Sequence, residues 1–187
     1  MPGLSPSPRA SRAPRPQRAT LAQALTYRND DVVQGFRRHY AVDTRTARQL
    51  FDDVKRWLWL YTIAPPRLRK TGFQIDNRLK ILDEMWHNFI LFTREYQAYC
   101  HVLGVPYIHH APTTNGMRRA QSQARAADPK AWRLARDRDD RAFYQLVFAE
   151  LGEATLRRWY LEYPKRFGET QIEQLRVKPA RPRRAHA

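Results

Sequence analysis

Disulfides are excluded at the outset. The 187 residues contain one cysteine, Cys100, so no intrachain bridge can form and the core must hold the fold. That fits a reducing compartment. Long apolar runs are also missing. The longest candidate, residues 57–64, falls far short of the roughly 20 residues a membrane-spanning helix needs. No continuous apolar segment near the N-terminus precedes a cleavage site, which argues against a secretory signal. Five prolines among the first sixteen residues argue against the amphipathic helix of a transit peptide. A cytoplasmic protein is the expectation. Motifs of known chemistry are scarce as well. There is no GxGxxG or Walker A loop to cradle a nucleotide, no GxSxG, no HExxH, no paired CxxC and no EF-hand loop.

What is present is aromatic and basic. Aromatics make up 12% of the chain, with five tryptophans, enough apolar area to stabilise a fold without disulfides. The length suits one ordinary domain. The net charge of +16 is unevenly spread: +4 in residues 1–30, +5 in 176–187 and +7 between. Residues 1–19 are rich in Pro, Ser, Arg and Ala and have little to bury, which predicts a disordered tail. Residues 176–187 predict a second, basic one. Basic tails attract nucleic acid or any other polyanion through salt-sensitive contacts. The plainer reading is that they keep the chain soluble.

Between the tails the apolar spacing is helical, and no strand pattern stands out. Asn29 or Asp30 can cap a helix with Val32, Val33, Phe36 and Tyr40 on one side. Thr44 or Thr46 can cap the next, where Ala47, Leu50, Phe51, Val54, Trp57, Leu58 and Tyr61 form a stripe that Pro65-Pro66 ends. Asp76 is placed to cap a long central helix over 77–103, with Gly104 as its stop. Residues 117–138 are polar and predict a mobile insertion or a solvated helix, with Trp132 the one anchor. Residues 139–151 resume an amphipathic helix, Gly152 punctuates it, and a further short helix ends at Pro164. The expected fold is all-α: an irregular bundle of about five helices, with a single domain over 20–175.

The stretch LDEMWHNFILFTREYQAYCHVLGVPYIHH, residues 82–110, carries the site candidates. On one continuous helix over 77–103, Asp83, His87, Arg94 and His101 lie along one edge of the apolar arc, where a side chain is desolvated on one side and still reaches a ligand on the other. Asp83 and His87, four apart, meet. Either Asp83 orients the imidazole, or both bind a metal. His109 and His110 follow the helix end. Neighbours on extended backbone face opposite ways, so one of the two is expected to join the pair. Asp plus two His suits zinc or iron with an open position. Cys100 sits too far along the helix to share that ion and reads as a small buried apolar group. A histidine bonded to an aspartate at a core boundary is also a common structural arrangement.

A second stretch mixes Arg157, Arg158, Lys165 and Arg166 with Trp159, Tyr160, Tyr163 and Phe167. Aromatics between cations can stack on bases and neutralise phosphates. Their helical spacing is more simply that of a core face.

The segment from Asp83, Trp86 and His87 through Phe89–Thr93, Tyr96 and Cys100 to His109, His110 and Pro112 resembles the glycine-rich domain-containing protein-like family, as does residues 152–164. The resemblance implies a helical module without a settled activity. Plant members carry RNA-recognition or glycine-rich segments that this chain lacks, so RNA binding is not carried over.

These readings predict a binding or scaffold module with a protein or small-molecule partner, holding a metal or ligand at Asp83, His87 and His109 or His110. One alternative is an enzyme with His87 as general base, Asp83 as its orienter and Arg94 or His101 for an anion. Another is nucleic-acid binding through the tails, residues 117–138 and the Arg157–Arg166 helix.

Overall fold

The computed structural model describes residues 18–177 except Gln74. The expectations for residues 1–17 and 178–187 lie outside the described residues. Helices form the frame: α1 (Leu21–Thr26), α2 (Asp30–His39), α3 (Thr44–Ile63), α4 (Pro66–Thr71), α5 (Lys80–Leu91), α6 (Thr93–Val102), α7 (Asn115–Ala127), α8 (Pro129–Arg157), α9 (Tyr163–Arg166) and α10 (Glu169–Leu175). A 3-10 turn, Asn77–Leu79, leads into α5, and a π-helical turn, Arg158–Glu162, joins α8 to α9. The all-α class holds, while the expectation of about five helices is too low. Among the described residues there is no strand, only an isolated antiparallel bridge between Tyr40 and Arg176. Nor is any helix there long and apolar enough to cross a membrane.

Local chemistry explains most boundaries. The Asn29 side chain accepts from the Val32 N–H at 3.1 Å, and Asp30 and Asp31 at the start of α2 and Arg37, Arg38 and His39 at its end complement the helix dipole. In α3 the cap is Asp43, accepting from the Thr46 N–H at 2.6 Å, rather than Thr44 or Thr46 as the spacing suggested. Its carboxyl is held below the usual range by that backbone hydrogen bond first and the Thr46 hydroxyl second. Pro65 and Pro66 end α3 and start α4. Asp76 caps the 3-10 turn, one step ahead of the helix proper.

Packing centres on α3. Ala47, Leu50, Phe51, Val54, Trp57 and Leu58 are buried and meet α1, α2, α5 and α8. The buried apolar residues form one cluster, which also takes in Tyr96, Tyr99 and Cys100 from α6 and Trp159, Tyr163 and Phe167 from the C-terminal elements.

The expected single helix over 77–103 is broken. Phe92 leaves the helical region at φ −83°, ψ 67°, turning α6 away from α5. The break lets two apolar faces reach the core that one straight rod would have pointed elsewhere. Gly35 permits it, since a Cβ there would stand 2.9 Å from the Phe92 ring. The residue at the corner, Leu91, is 76% exposed. A second interruption falls where expected. Gly152 has φ 80°, ψ 166°, a conformation open essentially to glycine alone.

Residues 111–131 are exposed throughout. They comprise α7, which buries no residue, and the start of α8. Trp132 is half-buried beneath the Arg125 guanidinium, 5.7 Å from its ring.

Candidate metal centre

Helix α5 supplies two of the candidate ligands. Asp83 and His87 are one turn apart and flank the buried face of Leu82, Met85, Trp86 and Phe89. His87 Nδ1–H donates to the Asp83 backbone carbonyl at 2.8 Å. That bond fixes the tautomer and leaves Nε2 unprotonated, with its lone pair toward His110 Nε2. A backbone carbonyl behind the distal ring nitrogen is a common support for a metal-binding imidazole. The Asp83 carboxylate stands 3.5 Å from the same Nδ1, so the carbonyl, not the carboxylate, orients this ring. The acid–base pairing expected for an enzyme is therefore looser than the spacing implied.

The third candidate ligand comes from the connection after α6. Gly104, at φ 73°, turns the chain, and Ile108 drives into the core. Tyr96 Oη donates to the Ile108 carbonyl at 2.6 Å and accepts from Trp86 Nε1–H at 3.1 Å. Both bonds are buried, and burial pushes the Tyr96 phenol far up. Two residues beyond Ile108 on extended backbone, His110 faces the same way. Its ring lies on the Trp86 indole with centroids 4.1 Å apart. His109 faces the other way and rests against Tyr107 at 4.9 Å.

The result is convergence. His110 Nε2 stands 3.2 Å from His87 Nε2 and 3.2 Å from Asp83 Oδ1. One donor atom from each of Asp83, His87 and His110 lies within 4.8 Å of the others. Donors about 2.0–2.1 Å from one ion stand about 3.3 Å apart in a tetrahedron and about 3.0 Å apart on an octahedral face. The two separations from His110 Nε2 lie between these values. The side chains are 30% (Asp83), 55% (His87) and 18% (His110) exposed, so one side is open to solvent. His87 also forms the rim of a cleft of about 470 Å³ shared with Tyr40, Glu84, Leu91 and Arg176.

The other sequence candidates stand apart from this cluster. Arg94 and His101 ride on α6, beyond the break at Phe92. Both are exposed, and neither pairs with the three ligands. The wheel that aligned them assumed a continuous helix. Cys100 is buried, its thiol pushed up by burial. Of the basic–aromatic helix, Trp159, Tyr163 and Phe167 are core and offer no face to a base. Arg158 is held by Asp53 at 2.7 Å through two nitrogens, and Arg166 donates to Thr46 Oγ1 at 2.7 Å. Arg157 and Lys165 are exposed.

The reading of single residues missed the roles of Trp86 and Tyr96 as supports. A signal for the choice between the histidines was available. Ile108 marks the inward face of the connection, and His110 shares its parity.

The fold and this cluster define an all-helical protein with a convergent carboxylate–imidazole triad on its surface. The chain belongs to the UCP032817-like family, whose model matches residues 17–143, a span that contains all three candidate ligands. This corrects the resemblance to the glycine-rich domain-containing protein-like family, which nothing in the match indicates. No curated protein and no solved structure matches the chain.

Proposed function

We propose that this protein is a helical binding module that holds one divalent transition metal, zinc or iron(II), through Asp83 Oδ1, His87 Nε2 and His110 Nε2. The observation that carries the reading is the pair of 3.2 Å separations among three donor atoms brought together from two distant segments. Two supports make it more than a chance contact. The His87 tautomer is fixed by a backbone carbonyl, and His110 is held against Trp86 on a connection tied by Tyr96. Three protein ligands leave a position for water or a ligand from the open side. Protons compete for both imidazoles, so affinity falls as pH is lowered.

The test is metal titration of the stripped full-length chain, with elemental analysis of the product. About one ion per chain is expected. Asp83→Ala, His87→Ala and His110→Ala should each weaken binding by at least roughly 100-fold, beyond the 10–100-fold typical of outer supports. His109→Ala should bind as the parent does. Stoichiometry far below one, or a His110→Ala protein that binds normally, ends the reading.

A further inference from the structure

We propose that the hairpin of α7 and the start of α8 is a docking surface for duplex DNA, gripped through its phosphates. This stands apart from the metal centre. Residues 115–136 hold six Lys/Arg and a single acid, Asp128. That acid is occupied as the cap of α8, accepting from the Ala131 N–H at 2.8 Å. Further along, Asp139 pairs with Arg67 and Arg138, and Asp140 with Arg136, while Asp137 is exposed. Arg118, Arg119, Lys130 and Arg133 are exposed and have no acidic partner among the described residues. As exposed cations without such a partner, they are available to an external polyanion.

The chemistry of the surface selects the partner. Met117 and Leu134 are the large exposed apolar residues here, and the remaining apolar positions of α7 are alanines. That is too little apolar area to enter a bilayer interface, and it lacks the aromatic anchors that dominate protein–protein binding. What remains is arginine, a lysine and the polar side chains of Asn115, Gln121, Ser122 and Gln123, the set that contacts phosphate and sugar. Single strands need stacking platforms. Trp132 is covered by Arg125, Trp159, Tyr163 and Phe167 are in the core, and Tyr160 is packed against it. A helix about 10–12 Å across fits the roughly 12 Å major groove of B-form DNA but not the narrow major groove of duplex RNA. At 13 residues, α7 spans about 20 Å.

The experiment is binding of the full chain to a labelled mixed-sequence DNA duplex across a salt series. One variant carries Arg118→Gln, Arg119→Gln, Lys130→Gln and Arg133→Gln. A control loses the same charge elsewhere, through Arg38→Gln, Arg45→Gln, Arg94→Gln and Arg157→Gln. The hairpin variant should flatten the log–log salt slope by about 3–4, near 0.9 per lost phosphate contact, and weaken binding at least roughly tenfold. The control should change the slope by less than about one. Helicity is checked in each protein. A third variant, Arg118→Lys, Arg119→Lys and Arg133→Lys, keeps the charge and should keep the slope. The inference is overturned by equal losses in the hairpin and control variants or by absence of binding. It is equally overturned by stronger hairpin-dependent binding to duplex RNA, single strands, polyglutamate or anionic vesicles than to duplex DNA.

Discussion

Asp53 is the residue whose surroundings carry the most structural weight outside the candidate metal centre. Its fully buried carboxylate accepts from Arg158 through two nitrogens at 2.7 Å, from Tyr163 Oη at 2.5 Å and from Arg56 at 3.0 Å. These partners lie on α3, the π-helical turn and α9, so one side chain ties the C-terminal elements to the central helix. Removing it leaves the buried Tyr163 phenol without its acceptor and the Arg158 guanidinium with only Thr155 Oγ1 at 3.5 Å. Asp53→Ala should therefore destabilise the protein by about 3–5 kcal/mol, read from denaturant unfolding. A loss below about 1 kcal/mol would mean that water replaces the carboxylate and that the network is not sealed. Lys55 is the contrasting case. Its ammonium is buried, with Asp52 at 2.8 Å and the Tyr27 carbonyl at 2.7 Å, and desolvation lowers its pKa despite those partners.

At the scale of elements, two breaks shape the molecule. The first, at Phe92, separates α5 from α6 and removes Arg94 and His101 from the edge that Asp83 and His87 occupy. The second, at Gly152, bends α8 so that Thr155 and Trp159 turn inward to the core. Nothing stands within 4 Å of a Cβ built on Gly152. The demand for glycine there is thus purely conformational. Gly152→Ala should cost about 1–3 kcal/mol from backbone strain alone, measured by chemical denaturation. An unchanged midpoint would show that the bend relaxes into a straight helix without loss. The connection from Gly104 to His110 is a third element that matters. The hydrogen bond from Tyr96 to its Ile108 carbonyl, rather than regular structure, holds His110 in register.

For the molecule as a whole, buried phenols set the alkaline limit. Burial raises the pKa of Tyr96, Tyr99, Tyr160 and Tyr163, and burial followed by the Glu84 carboxylate raises that of Tyr40. Five of the nine tyrosines are affected, enough for the effect to be cooperative. Each is neutral in both states below the unfolded value of about 10, where its contribution to stability is fully present. As pH rises past that value the unfolded chain loses protons that the folded chain keeps, and stability falls. The melting temperature should be flat with respect to these groups below about pH 9.5 and drop above it. Tyrosinate absorbance from the five should appear together with unfolding. Smooth titration of all nine tyrosines in a folded protein would contradict this.

Helix by helix, much of this was legible in one dimension. The apolar spacing of α3, the Asn29 cap, the punctuation at Gly104 and Gly152 and the lack of strands among the described residues are local properties. Periodicity and backbone preference within a few residues determine them. The pairing of Asp83 with His87 is equally local, because four residues make one helical turn. Tertiary structure alone decided the rest. The kink at Phe92 exists because α2 offers a glycine for its ring to close upon, a contact between segments more than fifty residues apart. His110 reaches His87 because Ile108 finds the core and Tyr96 finds the Ile108 carbonyl. Which cations of the chain remain unpaired depends on where Asp53, Asp139 and Asp140 lie in space. Sequence spacing specifies what one turn can bring together; only burial of a shared core determines which distant turns meet.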